Sequence, residues 1–388
     1  MKMKMTIIIK EVLKEKELND FIRFPEGLYQ DVPNFIPPIR SQEVKNFSPD
    51  FNPAYEYCDA RLWLALRNKK VVGRIAGIIN HRYNEGREQK YARFGWLDFV
   101  EDLEVLKKLM HKVEIWALEN DADLIHGPIG FTSFDPSGIL VEGFDEMPTT
   151  YAHYNYPYYA SMLEACGYTK DVDWVEYNLT VPEQIPERIL RGAQMVEQRY
   201  NLHAIPIKNR RQLLKRTGEA FKLINRAYTG LYGFTEISKN QAKQLINSNW
   251  FILKRAYIAM IADENDKLIG FGLGFPSLST ALKKINGSMS LRGFLTLFQV
   301  LKYHHTIDLL LIAVREDFQN KGVNAMIFNE IAKKIYQNGV LEIETTKELE
   351  TNLKVNQLWS KLDARQHKRS RCYVKPLKQV RKSGMPNE

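Results

Sequence analysis

A chain of 388 residues with 44% hydrophobic side chains is longer than one ordinary domain and can bury a large core, so two domains are expected. Three cysteines, Cys58, Cys166 and Cys372, stand far apart with no paired Cys or Cys/His spacing, which excludes a disulfide framework or a structural zinc site and points to a reducing compartment. The net charge of +9 is unevenly divided: residues 1–180 hold 21 Lys+Arg against 28 Asp+Glu, the remainder 34 against 18, and such a basic half suits a polyanionic cofactor, anionic lipid or nucleic acid equally.

In chain order, residues 6–9 read as a first strand, too short an apolar run before Lys10 and Glu11 for a signal peptide. Residues 15–29 read as a helix interrupted near Pro25, and the proline-rich 31–51 as a surface wrap. Strands at 61–66 and 71–79, joined by Asn68-Lys-Lys70, favour a hairpin. A strand at 91–99, a helix at 103–118 with Leu106, Leu109, Met110, Val113 and Ala117 on one face, a strand at 122–126, a helix within 154–174 and a strand at 174–179 complete the order β-α-β-β-β-α-β-α-β. The same order starts again near residue 201, with a strand at 202–207, a helix at 213–228, and strands at 257–262 and 267–275. This long-period repeat divides the chain into an N-terminal domain, 1–180, a linker helix, 181–200, and a C-terminal domain, 201–388, with an insertion at 276–307. In the insertion, Leu291, Phe294, Leu295, Phe298 and Leu301 form an apolar stripe opposite Arg292, Thr296, Gln299 and Lys302. It reads either as a helix packed on the adjoining domain or as a lid or interfacial segment beside a lipid-like substrate. The longest uncharged apolar run, 268–282, is broken by glycines and Pro276 and is too short to cross a bilayer. A cytoplasmic protein, or one peripheral to the inner face of the membrane, is expected.

The chemistry gathers in residues 308–334. An uncharged run, 309–314, suits a strand buried on both faces; a polar turn, 315–321, and Gly322 follow; Ala325, Met326, Ile327, Phe328, Ile331, Ala332 and Ile335 then mark one face of a helix. Such a strand-loop-helix unit aims unpaired amides and the positive helix end at one spot, which suits a phosphate or pyrophosphate. Gln319-Asn-Lys-Gly-Val-Asn324 resembles the Q/R-x-x-G-x-G/A signature of the GNAT acyltransferases, and residues 352–364 resemble that family's N-x-x-A-x-x-L-Y-x-K-x-G-F segment, as do residues 155–168. Trp359 stands where many members carry a tyrosine, Asn324 where a small residue is usual, and Asp363-Ala364 replaces Gly-Phe.

The resemblance implies an α/β (α+β) fold of two tandem GNAT-like domains, each a mixed central sheet flanked by helices. The N-terminal copy is degenerate, with three carboxylates and no glycine in Phe99-Val-Glu-Asp-Leu-Glu104. It also implies coenzyme A or an acyl-CoA as co-substrate. Backbone at Ile312, Ala313 and Val314 would pair with the pantetheine arm, Gln319, Asn320, Lys321, Gly322, Val323 and Asn324 would hold the pyrophosphate, and Asn352 would complete the cofactor set. The implied reaction transfers an acyl group, acetyl or longer, to an amine, either a small molecule or a lipid. Asp308 is the first choice of base, Glu344 the second, and Tyr373 replaces the missing tyrosine as acid. Tyrosines in 151–159 wall an acceptor pocket or simply pack, with Asp135, Glu142, Asp145 or Glu146 available to hold a cationic amine. Residues 361–388 carry nine Lys+Arg against two acids, either as a solvated tail or for contact with an anionic membrane. A sensor that binds acyl-CoA without turnover, or an aminoacyl-tRNA-dependent transferase, are the alternatives; no DNA-binding helix pair or RNA-binding motif emerges.

Overall fold

The computed structural model describes residues 6–377 apart from 151, 208, 254, 255, 361 and 363. The basic tail beyond 377, Tyr151 of the aromatic cluster and Asp363 thus lie outside the described residues. In chain order the strands are β1 (Ile7–Glu11), β2 (Cys58–Arg67), β3 (Lys70–Asn80), β4 (Tyr91–Phe99), β5 (Leu124–Gly127), β6 (Ile139–Glu142), β7 (Thr169–Thr180), β8 (His203–Ala204), β9 (Tyr257–Ala262), β10 (Leu268–Pro276), β11 (Thr306–Val314), β12 (Glu342–Thr345), β13 (Glu348–Leu349) and β14 (Arg365–Pro376).

All join one mixed sheet in the order β1-β2-β3-β4-β5-β14-β7-β12-β11-β10-β9-β8, with β6 against β14 and β13 against β7. Each half has the same plan: an antiparallel run and then one parallel pair, β4 with β5 in the first and β11 with β12 in the second. At the centre the halves exchange strands. β14, the end of the second half, lies between β5 and β7, while β7, the end of the first half, lies between β14 and β12.

Local chemistry explains most elements. The hairpin of β2 and β3 turns through Asn68 and Lys69, both at positive φ, the backbone that a two-residue link between twisted strands requires. The first helix does not break at Pro25 but runs Glu15–Leu28. A proline there removes the N–H that would bond to the Phe21 carbonyl, and the buried Arg74 guanidinium supplies the missing donor at 2.8 Å. The helix Leu103–Glu119 packs Leu106, Leu109, Met110, Val113 and Trp116 into the first core. Its N-cap is Asp102, which accepts from Glu104 N–H at 2.8 Å and pairs with Arg67, so the degenerate copy fills its own positive helix end with a carboxylate. In the second half the helix Val323–Gln337 packs Met326, Ile327, Ile331 and Ile335 against the sheet. It approaches so closely that a Cβ on Gly272 of β10 would lie 2.4 Å from Ile327 Cγ2. No described helix is long and apolar enough to cross a membrane.

Candidate active site

β11 and β12 pair only over Thr306–Leu309 and Glu342–Thr345. Beyond that, Thr346 takes the next two β11 carbonyls, its N–H donating to Leu309 O at 3.1 Å and its hydroxyl to Leu310 O at 2.9 Å. On the other edge the β10 register shifts between Leu273 and Gly274, which leaves Leu310 as the extra residue of a bulge. The strands therefore diverge, and the backbone of Ile312 faces the gap. Both its groups meet one hydroxyl there: Ile312 N–H donates to Tyr228 Oη at 3.3 Å, and Tyr228 Oη donates to Ile312 O at 3.1 Å.

A cavity of about 910 Å3 fills this gap. Residues of both halves line it, including Ile129, Asp135, Thr149 and Trp174 from the first and Tyr228, Phe328, Lys347, Glu348 and Trp359 from the second. One side is the loop leading to the helix Val323–Gln337. Gly322 caps that helix at φ +83°, the left-handed region that favours glycine, and a Cβ there would lie 2.9 Å from Val196 Cγ2. Of the first-turn amides, Ala325 N–H donates to Gly322 O at 2.9 Å, which leaves those of Val323 and Asn324 at the positive end of the helix.

The structure brings together at this cavity Ile312, Val314, Gln319, Asn320, Gly322, Val323, Asn324 and Asn352 of the residues expected from sequence. Gln319 Nε2 also donates to Val314 O at 3.3 Å. Two others turn away. Ala313 is buried in the core beneath the helix Arg210–Tyr228, and the Lys321 ammonium lies over the rings of Phe318 and Tyr200, 4.9 and 5.4 Å from their centres.

The three expected acid-base residues lie off the cavity. Asp308 and Glu344 are register partners on β11 and β12. Asp308 is 1% exposed, and its Oδ2 accepts from Thr150 Oγ1 at 3.0 Å. Burial pushes its carboxyl up, while hydrogen bonds from Ser277 and Thr150 pull the other way. Burial also raises Glu344, to about 7, against the pull of Lys368, whose ammonium lies 3.7 Å from Glu344 and 3.3 Å from Glu176. Tyr373 belongs to the core of the first half, because the exchanged β14 carries it there: it sits opposite Gly127 of β5 and its hydroxyl donates to Glu164 at 3.2 Å. The tyrosine cluster packs likewise, Tyr159 being fully enclosed and bonded to Tyr29 at 2.6 Å. Of the four acids near it, Asp135 reaches the cavity, whereas Glu142 pairs with Arg369 and Glu146 with Arg365.

Sequence reasoning missed Glu348. It follows β12 by three residues in what reads as a polar loop, and only the fold reveals its surroundings. Trp359, the departure from the family pattern, donates its indole N–H to Glu348 Oε1 and Oε2 at 2.8 and 2.7 Å. Burial raises the carboxyl to about 8, with the indole bond opposing. Next to it, burial lowers the Lys347 ammonium to about 8, and its head donates to Ser137 O. Burial lifts Asp135 to about 6 against hydrogen bonds from Thr132. The cavity thus holds three groups that exchange protons near neutrality, a pattern that acid-base chemistry requires.

No family model matches the chain. It is 25% identical over 376 residues to Protein YghO of Escherichia coli, covering 95% of each chain. It is 24% identical over 318 residues to a bacterial ceramide synthase of Caulobacter vibrioides, covering 80% of this chain and 81% of that one. Among solved structures, a tandem GNAT protein from the clavulanic acid biosynthesis pathway superposes with a TM-score of 0.57 at 11% identity, over 99% of this chain and 100% of that one. A GCN5-related N-acetyltransferase from Sphaerobacter thermophilus does so with a TM-score of 0.52 at 10% identity, over 96% of both. The two-fold repetition of strand order, the parallel pair in each half and these superpositions agree: the chain has the tandem GNAT fold, with two copies joined in one sheet.

Proposed function

We propose that the protein is an N-acyltransferase that uses a coenzyme A thioester as donor and a long-chain amine as acceptor. The observation that carries this reading is the gap between β11 and β12. It places the splayed edge of β11, a glycine-capped helix start and a proton-exchanging carboxyl around one cavity. The residues suit the donor: Ile312 offers a paired N–H and C=O that a single hydroxyl now satisfies, and the first-turn amides after Gly322 favour a phosphate. The thioester supplies an acyl carbon activated toward amines. Ile312 and the loop orient it, and Glu348 takes the proton that the amine loses as the amide bond forms and the thiolate leaves. Trp359 holds that carboxylate in place, and Glu348 can return the proton to the leaving thiolate.

Support for the acceptor comes from two directions. The cavity wall carries Ile129, Phe134, Trp174, Leu310, Phe328 and Leu358, an apolar lining suited to a long chain. The relative from Caulobacter vibrioides is a ceramide synthase, and a ceramide is the amide of a long-chain amino alcohol.

Mass spectrometry of ligand retained by the purified protein, followed by a screen of acyl-CoA donors and amines for free-thiol release, tests the proposal. Release that requires both a donor and a long-chain amine is the expected result. Coenzyme A binding without release for any amine would make the protein a sensor instead.

A further inference from the structure

The helix Leu291–Lys302 in the insertion is fastened by one face only. Gly293 and Leu301 are buried, and Leu297 and Val300 pack against Leu278, Leu282 and Ile285 and against Ile36 and Ile39 of the first half. Of the stripe noted in the sequence only Leu301 faces inward. Leu291, Phe294, Leu295 and Phe298 face out, at 79%, 47%, 59% and 46% exposed. Phe251, from the helix Trp250–Leu253, joins them with its ring centre 5.5 Å from that of Phe294 and 5.9 Å from that of Phe298. Single exposed apolar side chains are ordinary, but five in contiguous array on one face mark an interaction surface. Ser290 accepts from Gly293 N–H at 3.2 Å and fixes the helix start, so the array is held in place.

The segments that carry this face hold charge of one sign. Residues 237–262 and 267–307 contain nine Lys and Arg and no Asp or Glu. Lys243, Lys283, Lys284, Arg292 and Lys302 are exposed. Glu26 of the first half reaches the neighbouring turn at Gly287, but Arg40 neutralises it through two bonds of 2.6 and 2.8 Å.

We propose that this face seats the protein on an anionic lipid surface. The five apolar side chains enter the boundary between headgroups and acyl chains, and the surrounding lysines and arginines meet lipid phosphates. A second copy of the chain is a poorer occupant, since two faces of the same sign would oppose each other. The face is also coupled to the cavity. At the foot of the insertion Ser279 Oγ donates to Pro148 O at 2.8 Å and Leu278 N–H donates to Thr150 Oγ1 at 3.2 Å, and Thr149 between them lines the cavity. The proposal requires no acyl donor and stands independently of the enzymatic reading.

Flotation of the full chain with phosphatidylcholine vesicles, with and without phosphatidylglycerol, tests it. The expected result is binding to the anionic vesicles at low salt, weakened as salt rises, with a fall of about tenfold in partitioning for Phe294→Ser and again for Phe298→Ser. Both positions are exposed, so thermal melting should be nearly unchanged; Leu295→Ser with Phe251→Ser provides a second variant of the same face. Three outcomes would overturn the proposal: no flotation with anionic vesicles, equal flotation of the variants, or a concentration-dependent dimer in sedimentation that these substitutions abolish. Loss of flotation with retained acyl transfer to a long-chain amine presented in detergent micelles separates this surface from the catalytic reading.

Discussion

Trp359 spans both oxygens of Glu348 with one indole N–H, at 2.8 and 2.7 Å, inside the cavity where the two halves of the chain meet. In the proposed reaction a tryptophan at this position therefore does not leave a gap. It holds a carboxyl that burial has brought into the neutral range.

Glu348→Gln should keep coenzyme A affinity and lower turnover roughly a hundredfold. If the proposed reaction holds, turnover of the unaltered protein should rise through pH about 8, as the carboxyl ionises, and the variant should lose that rise. Stability has the opposite slope. The folded carboxyl keeps a proton that the unfolded chain releases above 4.5, so its contribution to stability should fall as pH climbs from there to about 8, and the variant should lose that part of the pH dependence. Trp359→Phe removes a bond to the charged form and should move the activity limb to higher pH. Thiol-release kinetics and urea melts across pH measure all of this.

Lys368 is fully buried between Glu176 and Glu344, with Asp308 beside Glu344. Lys368→Met should cost about 3–5 kcal/mol by stranding buried carboxylates. Because the folded Glu344 is raised to about 7, it holds its proton in mild acid. The loss should therefore be smaller at pH 5 than at pH 8, as paired denaturant melts would reveal. Asp308→Asn, in the same series, tests whether a residue enclosed behind the cavity wall contributes to turnover or to stability alone.

Gly322→Ala should lower both the melting temperature and coenzyme A affinity, by tenfold or more for binding. The added methyl meets Val196 and forces a side chain into left-handed backbone at the cap of the helix. Calorimetry with coenzyme A reads the affinity directly; an unchanged constant would remove this loop from the donor site.

Tyr228→Phe should tighten coenzyme A binding while destabilising the free protein. The hydroxyl satisfies both backbone groups of Ile312, and a pantetheine arm pairing there must displace it. Deleting it leaves those groups unpaired only in the free state, a shift of about 1–2 kcal/mol that should appear as a gain in affinity.

The repeat, the order of its strands and the glycine turn that opens the helix Val323–Gln337 were legible because they rest on local signals. Apolar runs mark the strands, and a glycine stands where the backbone turns left-handed. What escaped was tertiary. Pro25 reads as a helix breaker until Arg74, 49 positions later in the chain, supplies the lost donor to Phe21. Glu348 reads as a loop acid until Trp359 folds over it. The stripe of Leu291 to Leu301 has the period of a buried face, yet of its members only Leu301 packs, together with Gly293, Leu297 and Val300, since periodicity identifies an apolar side without saying what it meets. Tyr373 looked like a neighbour of the second site because sequence distance cannot show that its strand has crossed into the first half.

That crossing sets the timing of assembly. Among the described residues, the edge of β5 away from β4 is closed by β14, whose residues leave the ribosome some 240 positions after β5 itself. During synthesis the first half must therefore wait with an open sheet edge, exposed to wrong pairing, until almost the whole chain has emerged. A chaperone that shields strand edges, rather than one that merely unfolds errors, is the assistance such a chain calls for.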